Sequence, residues 1–182
     1  QDRLLSPDAF LGYSLGARFT PHHRVMDYVA HVAAHAPGVR LEPYGETYEG
    51  RPLVLLYVTT PGNLDRLDAI RADNLRRAGL LEGAPSDASA PAVVWLSYNV
   101  HGNEAVSTEA AMATLYELAD PANERTQAWL ENTVVILDPC VNPDGRERYV
   151  QWFAQTVGRV PNPRPEAREH YEPWPGGRFN HY

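Results

Sequence analysis

Two stretches of the chain are apolar almost without interruption, and both read as strands buried on two faces. Residues 92–96 (Ala-Val-Val-Trp-Leu) and 133–137 (Thr-Val-Val-Ile-Leu) show no polar alternation, the pattern of strands inside a mostly parallel sheet covered by helices. Between them Val106, Ala110, Ala113 and Leu118 recur at helical spacing among good helix formers, until Asp120-Pro121 stops the run. Residues 124–130 add a further short helical turn. The central unit is therefore strand, turn, helix, strand.

Upstream, residues 39–44 and 53–59 predict two more strands, joined through Gly45-Glu46-Thr47-Tyr48-Glu49-Gly50-Arg51-Pro52 as a hairpin. Before them Thr20-Pro21 reads as N-cap and first residue of a helix with Val25, Tyr28, Val29 and Val32 on one face, ended by Pro37-Gly38. His22, His23, His31 and His35 lie in or beside this helix and read as a solvated face. Residues 1–19 have no clear period, although Phe10, Leu11, Tyr13 and Leu15 offer apolar anchors.

After the hairpin, Leu64, Leu67, Ile70 and Leu75 predict a helix to about Ala78, its arginines alternating with Asp65, Asp68 and Asp73 on a solvent face. Residues 83–91 read as a surface loop. Asn142-Pro143-Asp144-Gly145 reads as a turn, and residues 146–157 as a helix with Tyr149, Val150 and Phe153 on its apolar face. From Pro161 onward five prolines and Gly176-Gly177 exclude regular helix or a central strand.

Composition narrows the class. A hydrophobic content of 43% in 182 residues gives room for a packed core, which fits a soluble α/β protein with a mixed, mostly parallel central sheet flanked by helices. A net charge of −7 provides no basic footprint for nucleic acid or an anionic membrane, and no apolar run approaches a membrane span. Cys140 is the single cysteine, so it has no internal disulfide partner and reads as a small buried residue.

The chemistry gathers at His101-Gly102-Asn103-Glu104, which follows the first apolar strand. Ligands in open α/β sheets sit beyond the carboxyl ends of strands. An imidazole from the turn and a carboxylate from the first helical turn would converge there, and both are ordinary zinc donors. Gly102 lets the backbone bend between them.

Ser97-Tyr98-Asn99-Val100-His101-Gly102-Asn103-Glu104, followed by Asn142-Pro143-Asp144-Gly145, resembles the zinc carboxypeptidases of the carboxypeptidase A type. The hairpin turn with its Gly-Arg-Pro is similar to the opening hairpin of that family. The resemblance implies that His101 and Glu104 are the first two ligands of one Zn2+ ion, and that the chain is the amino-terminal portion of a single catalytic domain. It implies a metallocarboxypeptidase that hydrolyses the C-terminal bond of peptides with a free C-terminus. It also implies an Arg that polarises the scissile carbonyl, for which Arg178 stands in the expected place and Arg146 and Arg148 are rivals.

The family's third ligand, a downstream His, and its general base, a Glu, have no visible counterparts, although His170 and His181 lie in the proline-rich tail. The expectation is weak metal binding, no turnover from this chain alone, self-association through an exposed sheet edge, and an exported location, periplasmic or secreted. Two other readings stand beside it: an N-acyl amino acid deacylase of the aspartoacylase type, and a non-catalytic α/β binding or assembly module.

Overall fold

The computed structural model describes residues 3–87 and 89–157, with 162, 164 and 166 beyond them. In chain order the elements are α1 (Pro7–Leu11), α2 (His22–His35), β1 (Val39–Glu46), β2 (Pro52–Val58), α3 (Pro61–Leu64), α4 (Leu67–Arg77), β3 (Ala92–Ser97), α5 (Val106–Ala119), α6 (Glu124–Leu130), β4 (Thr133–Asp138) and α7 (Pro143–Val157). Arg178, His170 and His181 lie outside the described residues.

The four strands form one sheet in the order β1-β2-β4-β3. β1 pairs antiparallel with β2, with a bulge between Pro43 and Gly45, and β2 pairs antiparallel with β4. β3 and β4 are parallel and in continuous register from Ala92↔Thr133 to Ser97↔Asp138. The sheet is thus mixed, as expected. Its parallel character is confined to the β3–α5–β4 unit, because the hairpin imposes antiparallel pairing on the other two junctions.

One face of the sheet builds the core. Leu56 and Val58 of β2 and Val135 and Leu137 of β4 meet Val25, Tyr28, Val29 and Val32 of α2 and Met112 and Leu115 of α5. Most of these side chains are almost completely buried, and each such Val or Leu is worth about 1.5–3 kcal/mol. On the other face α3 and α4 lie over β1 and β3.

β3 departs from the expected burial. Val93, Val94 and Trp95 are 41%, 40% and 62% exposed. The strand stands at the edge of the sheet with β4 as its one neighbour among the described residues, so its apolar run is open on most sides.

Local details differ for readable reasons. The segment before α2 contains the short helix α1, started by Ser6, whose hydroxyl accepts from Ala9 N at 3.3 Å, and ended by Gly12 at φ 79°. Five residues are too few to show a period. Thr20 does not cap α2: its hydroxyl and amide go to Glu109, and the His22 amide is held instead by Glu147 at 2.9 Å. His22 is buried rather than solvated. The predicted 64–78 helix is broken into α3 and α4 at residues 65–66, and Asp73, expected on its solvent face, is buried against Arg76, Ser86 and the Asp87 amide. The NPDG stretch is not a free turn but the capped first turn of α7.

Candidate functional site

The backbones of β3 and β4 continue to pair after both strands end. Tyr98 N donates to Asp138 O at 3.0 Å, Val141 N to Tyr98 O at 2.9 Å and Asn142 N to Asn99 O at 3.2 Å. Asn99 then turns the chain off the sheet at φ 59°, a left-handed conformation that Asn tolerates better than most residues. From there residues 100–105 form a turn leading into α5.

His101 is half-buried and Glu104 exposed at this place beyond the carboxyl end of β3. Glu104 N donates to His101 O at 3.1 Å and Ser107 N to Glu104 O at 2.9 Å. Glu104 therefore stands in the turn, two residues ahead of the first residue of α5, and not in the first helical turn as expected.

Three side chains fix the carbonyls of this turn. Asn142 Nδ2 donates to Val100 O at 3.2 Å, Asn99 Nδ2 to His101 O at 2.7 Å, and Arg146 Nε to Ala105 O at 3.3 Å. Asn142 also caps α7 by accepting from Gly145 N at 2.9 Å. Thr108 Oγ1, at 2.8 Å from Asn99 Oδ1, steadies Asn99 in turn.

Gly102 serves a purpose that its place in a bend does not reveal. A Cβ there would lie 2.3 Å from the carbonyl carbon and 2.7 Å from the Cα of Gly145. The HGNE turn and the NPDG turn thus touch backbone to backbone, glycine on glycine. A larger residue at position 102 could not adopt this approach.

The hairpin turn locks onto the same helix start. Asp144 accepts from Thr47 Oγ1 at 2.8 Å, from Glu49 N at 3.2 Å and from Arg51 at 2.6 Å. Glu49 bridges Arg51 and Arg148, and hydrogen bonds from these two guanidiniums hold its carboxyl below the usual range. Tyr44 Oη donates to Asp138 Oδ2 at 2.7 Å, while burial raises the Asp138 pKa.

Behind the turn lies a buried ion pair. Arg146, fully buried, meets Glu109 of α5 at 2.8 Å and donates to Thr20 O at 2.8 Å. Glu109 also accepts from the Thr20 amide at 2.6 Å and hydroxyl at 2.8 Å. Beside them His22 is 5% exposed with neither ring nitrogen hydrogen-bonded. Burial and then Arg146 push its pKa down to about 4. Cys140 is buried as expected, and burial raises its thiol to about 11.

Of the residues singled out from sequence, His101 and Glu104 share one turn. Arg146 is committed to three internal acceptors, and Arg148 pairs with Glu49, so neither is an unengaged oxyanion donor. Sequence reasoning missed Glu109, Asp144, Asn99 and Asn142 as partners. The one available signal was Glu109, a charge among the alanines and Met112 of α5.

The donor chemistry of His101 and Glu104 fits zinc, but a catalytic zinc takes three protein ligands. No group of three or more His, Cys, Asp or Glu side chains able to hold a metal occurs among the described residues. Nor is any helix of the described residues long and apolar enough to cross a membrane.

The strand order and helix placement define a fold shared with carboxypeptidases. Carboxypeptidase A from Helicoverpa armigera superposes with a TM-score of 0.55 at 19% identity, over 82% of this chain and 29% of that one. Residues 25–173 match the family described as zinc carboxypeptidase, and the chain belongs to that family. Carboxypeptidase D of Rattus norvegicus is 38% identical over 124 residues, and that of Mus musculus 37% over 129. Each match covers 65% of this chain and 8% of the relative's length.

Proposed function

We propose that this chain contributes the first two zinc ligands, His101 and Glu104, to the active site of a metallocarboxypeptidase acting on peptides with a free C-terminus. The observation that carries the reading is the turn itself: two zinc-type donors beyond a strand end, with the backbone carbonyls around them held by Asn99, Asn142 and Arg146. Such outer contacts orient metal ligands and tune affinity.

Zinc in this position would supply Lewis-acid polarisation of a substrate carbonyl and lower the pKa of water. His101 offers an imidazole nitrogen and Glu104 a carboxylate, both ordinary zinc donors. Gly102 and Gly145 bring the two turns close enough that α7 backs the ligand turn directly. Arg178, outside the described residues, is assigned to the scissile carbonyl, where a guanidinium would stabilise the developing oxyanion. The third ligand and the base are likewise assigned outside the described residues, the chain being the amino-terminal portion of one catalytic domain. An exported location belongs to the same proposal and is supported by the family resemblance. So does self-association, supported by the exposed edge of β3.

The test is hydrolysis, with zinc present, of an N-blocked peptide as free acid and as C-terminal amide. A chain reaching the third ligand and base should cleave the free acid alone and lose this with Glu104→Ala. The 182-residue chain should give no turnover. Cleavage of N-acyl amino acids in place of peptides would assign the deacylase reading instead.

A further inference from the structure

We propose that Arg146 is a positioning residue for the ligand turn: its guanidinium, locked behind the turn by Glu109, fixes the Ala105 carbonyl and so sets where Glu104 presents its carboxylate. The inference rests on the reading of His101 and Glu104 as zinc ligands.

A buried Arg is a costly way to fill space. Arg146 is the largest side chain that is fully buried among the described residues, and a buried ion pair adds little stability over apolar residues of similar size. Its use lies in direction. Nε, one Nη and the other Nη donate to Ala105 O, Thr20 O and Glu109 Oε1 at 3.3, 2.8 and 2.8 Å. These acceptors lie in the ligand turn, in the segment before α2 and in α5. A planar fork serves three fixed directions at once, whereas the point charge of Lys does not.

The placement in sequence completes the argument. Ala105, 1% exposed, follows Glu104 directly. The turn's other end is pinned where Gly102 meets Gly145, the residue before Arg146. Two consecutive residues of α7 therefore hold the ligand turn at both ends. Glu109 is in turn satisfied by the Thr20 amide and hydroxyl, so the guanidinium has no slack.

The experiment compares Arg146→Lys, and the charge-neutral pair Arg146→Met with Glu109→Gln, in the 182-residue chain. Amide exchange is read at Glu104 and Ser107, whose N–H groups bond within the turn, and at Val135 in the sheet as reference. Zinc alone is titrated by calorimetry. The expected result is exchange at Glu104 and Ser107 accelerated on the order of tenfold beyond any change at Val135, with zinc affinity lowered about 10- to 100-fold.

A merely structural Arg would raise all three exchange rates together. That result, or zinc affinity within about twofold of the parent in a chain that binds zinc, overturns the proposal. If the parent chain binds no zinc, as a site of two donors permits, exchange alone decides whether Arg146 holds the turn. If the double variant does not fold, Arg146→Lys decides, because it keeps the Glu109 charge paired.

Discussion

β3 and β4 are parallel neighbours of almost the same composition with opposite surroundings. β4 is sandwiched between β2 and β3 and buries Val134, Val135 and Leu137, while β3 leaves Val93, Val94 and Trp95 open. An apolar run states what a strand is suited to bury. What covers it depends on neighbours that periodicity does not name. The contrast sharpens at the strand ends, where the exposed β3 runs into a turn tied down by Asn99, Asn142 and Arg146.

The comparison is broken most directly by truncation. Leu137→Ala should cost about 2–5 kcal/mol, since its side chain is wholly buried and the site cannot collapse. Trp95→Ala, though it removes more atoms, should stay within about 0.5 kcal/mol. Urea unfolding of both variants measures the difference, and equal losses would mean that β3 is covered in solution.

Gly102→Ala probes the other end of β3. With its new Cβ 2.3 Å from backbone, it should cost about 3 kcal/mol. Gly62→Ala, which meets open space, is the control in the same unfolding series.

The two regions also differ in their response to pH. β3 contains no titratable side chain, whereas His22 lies beside the Arg146 pair with its pKa lowered from 6.5 to about 4. The unfolded chain takes up this proton first, so stability should fall as pH drops from about 6.5 towards 4, by at most about 3 kcal/mol. His22→Gln should flatten the fall. An unchanged slope would show that His22 is not buried neutral. Below that window the lowered carboxyls of Glu49, Asp73 and Asp87 take over, their contributions being lost as pH falls through their folded pKa values.

The smallest effect on stability should accompany the largest on assembly. Trp95→Lys places a charge on the open edge. Sedimentation velocity should show concentration-dependent association of the parent chain and its loss in the variant, with unfolding shifted by no more than about 0.5 kcal/mol. A parent that stays monomeric removes the self-association reading.

Much of the fold was legible because its elements are local. The hairpin, the β3–α5–β4 unit and α2 each carry their own period, and α1 could have been read from Ser6-Pro7 and Gly12 without one. The turn after β3 was legible through His101, Glu104 and the glycine between them. What escaped was everything joining distant segments: Glu109 to Arg146 and Thr20, and Asp144 to Arg51. Such pairs leave no spacing in a sequence. The same blindness offered Arg146 as a rival for the carbonyl-polarising Arg, when it is buried against Glu109, and gave Gly102 a bend as its reason, when the reason is contact with Gly145.

The measurement that bears most directly on the account is calorimetric zinc titration of the chain beside Glu104→Ala and His101→Ala. The account predicts one weak zinc site, its affinity reduced at least about tenfold in either variant while the fold is kept. Zinc binding that is unchanged in both variants would contradict it, and would move the metal away from the turn that closes β3.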